Sequence, residues 1–154
     1  MTDPYKKGMF KANPYAKKKP LEGNLVVILD GKYEQRGLQL IPQPSRCLIA
    51  NEVHEIILTD EDPRKEDSTA ILKEIAAGCS NKTENLNLFL INNRPKAIRK
   101  AFSLAKKDDL VLLLGKGHEN SIIYNETATP YNEIEEAKSA LKEMGYSKHL
   151  EENL

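Results

Sequence analysis

The chain has 154 residues, 40% of them hydrophobic and 30% charged, with 23 basic and 23 acidic side chains. That length and composition describe one globular domain of ordinary size and exclude a disordered chain. The charge balance excludes a global field for nucleic acid or an acidic partner, and no apolar run approaches a membrane span.

The two cysteines, Cys47 and Cys79, are too few for a disulfide framework and lack metal-ligand spacing. The N-terminus carries no signal-peptide core. The expectation is a cytoplasmic protein whose two thiols are reduced and buried.

Residues 1–23 hold six lysines and three prolines without a sustained apolar period, and read as a basic flexible lead-in. Lys17-Lys18-Lys19 is too short to mark a docking arm by itself. Residues 24–150 form the domain proper. Leu25–Leu29 is a continuous apolar run, as in a strand covered on both faces. A short helix is expected over 44–53, opened by Pro44, and a second strand over Glu55–Thr59. Asp67 or Ser68 caps a helix with Ile71, Leu72, Ile75 and Cys79 on one face, ending near Gly78. Leu86–Ile91 reads as the third strand. Asn93 and Pro95 open a helix that turns Ile98, Ala101, Phe102 and Ala105 inward. Leu110–Leu114 is the fourth strand and Ser121–Tyr124 a short fifth. The last helix spans 131–144 with Ile134, Ala137, Leu141 and Met144 inward.

Strands separated by single helices predict an α/β fold: a three-layer sandwich around a mostly parallel sheet of about five strands. The fifth strand follows the fourth too closely for a crossover, so it is expected to run antiparallel.

In such a sheet, ligands bind outside the carboxyl ends of the strands. Two polar clusters fall there and emerge on one rim. One is Thr59-Asp60-Glu61-Asp62-Pro63-Arg64; the other is Gly115-Lys116-Gly117-His118-Glu119. The second is no P-loop, which needs Gly-x4-Gly-Lys-Ser/Thr and a helix behind it. An amino-acid clamp fits better. Glycines let the backbone approach a ligand, and Arg64 presents a fork that matches a carboxylate. Asp62, Glu119 and the Gly115 carbonyl can accept hydrogen bonds from an ammonium group. Arginine for a carboxylate and acids for an ammonium describe a zwitterion. The competing reading pairs Arg64 with Glu61 or Glu66 in surface ion pairs of little value.

Three stretches carry a family resemblance: IILTDEDPRKED (56–67), RPKAIRKAFSLAKKDDLVLLLGKGHE (94–119) and PYNEIEEAKSAL (130–141). In order and spacing they resemble the C-terminal domain of the Mur ligases, of the UDP-N-acetylmuramoyl-tripeptide synthetase (MurE) type. The resemblance implies a Rossmann-like domain carrying much of the incoming amino acid's site. The parent ligases join an amino acid to a nucleotide-linked peptidoglycan precursor with ATP and magnesium, through an acyl-phosphate. It further implies meso-diaminopimelate as the amino acid. Arg64 would hold the distal carboxylate, with Asp62, Gly115 and Glu119 on the neighbouring ammonium and carboxylate.

Departures accompany the likeness. The family's central ATPase domain and its UDP-sugar domain have no counterpart, nor does the Asp-Tyr-Ala-His-Thr-Pro segment in residues 1–23. Where the family reads Gly-Gly-Asp-Arg-Asp-x-Gly-Lys-Arg-Pro, the chain has Gln35 for the aspartate and Leu38-Gln39-Leu40 for Lys-Arg-Pro. Ser121-Ile122 replaces the usual Tyr-Gln. His118 lacks a nucleophile or an orienting acid and is expected to brace its loop; Lys116 either meets an anion or is solvated. Asp108-Asp109 reads as a turn, and Tyr131 as a core aromatic.

The expected function is therefore binding of an amino acid or muropeptide through Asp62, Arg64, Gly115, Lys116, Gly117, His118 and Glu119, without catalysis by this chain alone. No metal or cofactor is expected; ATP and magnesium enter only with a separate central-domain partner, and another cell-wall enzyme is the alternative protein partner. The lead-in beginning at Met1 favours a free-standing protein over a piece of a split ligase. A degenerate remnant that binds nothing is the third alternative.

Overall fold

The computed structural model describes residues 25–31 and 54–146. The lead-in over 1–23, the helix expected over 44–53, Cys47 and the family comparison over 35–40 lie outside them. The elements in chain order are β1 (Leu25–Gly31), β2 (Glu55–Asp60), α1 (Ser68–Ala76), β3 (Leu88–Leu90), α2 (Arg94–Leu104), β4 (Leu110–Leu113), β5 (Ser121–Tyr124), β6 (Thr127–Pro130) and α3 (Glu133–Glu143).

Four strands form one parallel sheet in the order β3-β2-β1-β4, with Ile57 opposite Ile28 on one side and Phe89 on the other. Strand alternation sends Ile56 and Leu58 to one face, against Ile71, Leu72 and Ile75 of α1. Ile57 and Ile28 face the other way, against Ala97, Ile98 and Ala101 of α2 and Ala140 of α3. Three consecutive β2 side chains are thus fully buried, each contributing about 1.5–3 kcal/mol of transfer free energy. This is the three-layer arrangement that the apolar runs predicted.

Each helix starts where a side chain can take up its free amides. Asp67 accepts from Thr69 N–H (2.9 Å) and Ala70 N–H (3.3 Å). Asn93 accepts from Lys96 N–H (2.9 Å), and Asn132 from Glu135 N–H (3.1 Å).

Four expectations need correction. Among the described residues the main sheet has four strands, not five: β5 is antiparallel, but its partner is β6 in a separate hairpin. The chain reverses at Asn125-Glu126 with Asn125 at φ 55°, the left-handed geometry of a two-residue hairpin. Thr127–Pro130 gave little strand signal, because it holds a proline and is exposed throughout. The third strand is only Leu88–Leu90, with Leu86 70% exposed. In α3, Ile134 is 59% exposed while Glu133 is buried; a buried ion pair outweighs the apolar periodicity there. Finally, Cys79 is buried but disulfide-bonded, not the reduced thiol expected.

Candidate functional site

β2 and β4 run parallel to the same neighbour, β1, so the loops after Asp60 and Leu113 leave the same rim. A buried ion pair joins them. Lys116 is 1% exposed, and its Nζ donates to Asp62 Oδ1 at 2.6 Å and to Glu119 Oε2 at 2.8 Å. Asp62 Oδ1 also accepts the Ile123 N–H at 2.9 Å. Lys116 is thus neither solvated nor directed at an outside anion; it is the internal cation of the site. Carboxylate oxygens of Glu61, Asp62 and Glu119 lie within 4.8 Å of one another, a spacing that suits a metal ion. The Lys116 ammonium already supplies the cation for two of them.

Arg64 sits beside this cluster on the same loop. Its N–H donates to the Ile123 carbonyl (3.0 Å) and its carbonyl accepts from Asn125 N–H (2.6 Å), pinning the loop along β5. The backbone there has φ 53°, a region where bulky residues are uncommon and which costs about 1–3 kcal/mol. The two main-chain bonds hold it. Among the described residues, no side chain pairs with the half-buried guanidinium, so the alternative pairing with Glu61 or Glu66 does not form.

The glycine loop is built around a turn closed by Glu119 N–H to the Lys116 carbonyl, 2.8 Å. Gly115 (φ 109°) and Gly117 (φ 46°) both lie in the region that favours glycine. A Cβ at Gly117 would meet nothing within 4 Å, so the dihedral alone selects glycine. His118 is exposed in this turn. It makes no hydrogen bond among the described residues, correcting the brace expected of it.

Two polar networks behind the rim escaped the sequence reading. Arg94 is fully buried and forks onto Glu133, Nε to Oε2 at 2.9 Å and Nη2 to Oε1 at 2.6 Å. The Tyr131 hydroxyl donates to the same Glu133 carboxylate, so it is more than a core aromatic. Burial and this bond push its pKa well above the ordinary value. A cation at the start of α2 opposes the helix dipole, and that anomaly was the available signal. In the second network Asp60 accepts from Asn92 Nδ2 at 3.3 Å. Burial raises the Asp60 pKa, outweighing hydrogen bonds from Asn92, Tyr124 and Ser68 that lower it. Tyr124 is pushed up to about 12, chiefly by burial and then by the Asp60 charge. A cavity of about 660 Å³ opens beside the hairpin, between the starts of α2 and α3, lined by Pro95, Ile122, Tyr124 and Tyr131 among others.

A family model described as a family of unknown function (DUF6917) matches residues 15–76. The chain is 49% identical over 119 residues to the UDP-N-acetylmuramyl-tripeptide synthetase of Treponema denticola, covering 77% of this chain and 22% of that protein. To the enzyme of the same name from Treponema pallidum it is 57% identical over 89 residues, 58% of this chain and 16% of the relative. To the UDP-N-acetylmuramoyl-L-alanyl-D-glutamate--2,6-diaminopimelate ligase of Coxiella burnetii it is 36% identical over 123 residues, 78% of this chain and 24% of the other. A solved structure of a UDP-N-acetylmuramoyl-L-alanyl-D-glutamate--2,6-diaminopimelate ligase shares the fold. Its TM-score is 0.63 at 24% identity, over 81% of this chain and 25% of that one. The chain spans about a fifth of the length of the curated relatives it matches. Identity at this level makes the chain a Mur ligase domain, close to the UDP-N-acetylmuramyl-tripeptide synthetases.

Proposed function

We propose that this domain binds the amino acid for a Mur-type ligase of peptidoglycan synthesis, a diaminopimelate-like zwitterion, in the cytoplasm. The carrying observation is the 2.6 Å contact between Lys116 and Asp62, which brings the arginine loop and the glycine loop together. Arg64 grips a carboxylate through its fork. Asp62, Glu119 and the Gly115 carbonyl accept from the ammonium. Gly117 and His118 shape the mouth. With Lys116 and Asp62 nearly free of solvent, these charges act in a medium less screened than water.

Binding positions the amine; it does not activate the acyl group. That chemistry belongs to an ATP- and magnesium-holding central domain, on the same chain or on a partner, in keeping with relatives several times longer. The domain alone is a binding module.

Titration calorimetry with meso-diaminopimelate tests this. The expected result is saturable binding that Arg64→Ala weakens at least about tenfold, as befits loss of a charged bidentate contact, with an unchanged melting temperature. L-lysine, lacking the distal carboxylate, should bind equally to both proteins. Absence of binding, or an Arg64→Ala protein that binds as wild type does, refutes the reading.

A further inference from the structure

The two rim loops leave strands that are not neighbours: β1 lies between β2 and β4. Neighbouring strands stand about 4.8 Å apart, so these ends are roughly 10 Å apart and no main-chain bond can tie them. Besides the Lys116–Asp62 pair at the rim, a second side chain spans the gap from behind. Arg94 Nη1 donates to the Asp60 carbonyl at 3.3 Å and Nη2 to the Leu114 carbonyl at 2.7 Å. Asp60 lies two residues before Asp62, and Leu114 directly precedes Gly115. The same guanidinium is held from behind by both Glu133 oxygens, and Glu133 in turn by Tyr131. A surface arginine would hold nothing this firmly. Here the fork is fully buried and Glu133 only 5% exposed, so rotating away would leave two charges dry and unpaired.

We propose that Arg94 and Glu133 are positioning residues for the amino-acid site. Their ion pair sets the distance between the loop bearing Asp62 and Arg64 and the loop bearing Lys116 and Glu119. This rests on the rim being the amino-acid site, but the clamp makes a separate physical claim. If its carboxylate is weakened, the strands remain and the loops lose their common register. Lys116 then cannot reach Asp62 and Glu119 together, and the bonds that fix Arg64 along β5 open more often.

The test is amide hydrogen exchange by NMR on the full chain, comparing wild type with Glu133→Gln. The amide replaces one acceptor with a donor facing Arg94. Three rim amides report on the loops: Arg64 (to the Ile123 carbonyl), Glu119 (to the Lys116 carbonyl) and Ile123 (to Asp62). Ile56 and Ile91, bonded between β2 and β3, report on the sheet. The expected result is exchange about tenfold faster at the rim amides, as local opening requires, with the sheet amides unchanged. Affinity for meso-diaminopimelate should fall by a similar factor.

Uniform acceleration at rim and sheet would make the pair a general stabiliser and overturn the proposal, as would no change at the rim. A loosened rim with unaltered diaminopimelate affinity would overturn it too. If wild type binds no diaminopimelate, the site reading falls, while the exchange pattern still decides whether the clamp exists. Should Glu133→Gln fail to fold, Tyr131→Phe removes only the hydroxyl bond to Glu133. It should give the same pattern at about threefold, and a flat response there sinks the clamp.

Discussion

Lys116→Met is the most demanding perturbation of the rim. The side chain is fully buried, its partner Asp62 is 8% exposed and its partner Glu119 is 36% exposed. Removing one member of a buried pair leaves the other charge uncompensated, at a cost of about 3–5 kcal/mol. The half-exposed Glu119 contact adds under about 1 kcal/mol after solvent screening. Burying the methionine chain returns about 1–2 kcal/mol. The net loss is about 3 kcal/mol, which for a domain of this size lowers the melting temperature by about 10 °C. The penalty is electrostatic, because Asp62 and Glu119 then lose the ammonium that lies between them. Melting curves of the two proteins by circular dichroism at pH 7 check this. Adding Asp62→Asn, which keeps an acceptor for Ile123 N–H, should recover about half of the loss. A Lys116→Met protein that melts within about 2 °C of wild type, or whose deficit is unchanged by adding Asp62→Asn, refutes the reasoning.

Asp60→Asn tests the second buried network. Because the folded-state pKa of Asp60 is raised, its contribution to stability is present below the unfolded value and is lost as pH rises through the folded one. The asparagine variant should therefore melt higher than wild type at pH 7, and the advantage should vanish below about pH 4; an advantage that persists in acid contradicts the assignment. Gly117→Ala should cost about 1–2 kcal/mol, read from urea midpoints, since its φ of 46° penalises any Cβ. With no atom within 4 Å of that Cβ, a loss beyond about 3 kcal/mol would point to a clash that the geometry does not contain.

Taken together, the rim separates two kinds of arginine. Arg64 is held by its backbone, and among the described residues its fork has no side-chain partner. Arg94 spends its fork on the protein itself. Both begin a local segment after a strand, and neither role follows from the residue type. The difference is burial: a guanidinium without solvent must satisfy its donors internally, while a half-buried one on a rim need not.

Local chemistry decided much of this in advance. The apolar run Ile56-Ile57-Leu58 demanded a strand covered on both faces, Asp67 and Asn93 marked helix starts through their side-chain acceptors, and the two polar loops had to share a rim once the strands ran parallel. Those features depend on near neighbours and on the period of the chain, which a linear reading contains. Tertiary structure alone decided the rest. It sent β5 into a hairpin with an exposed, proline-ended partner and turned Glu133 inward in place of Ile134. It also made Lys116 a buried counterion instead of a solvated side chain, and stretched Arg94 across two strand ends. Each of these turns on which charges meet after distant segments come together, and the strength of such meetings depends on burial that no sequence window records.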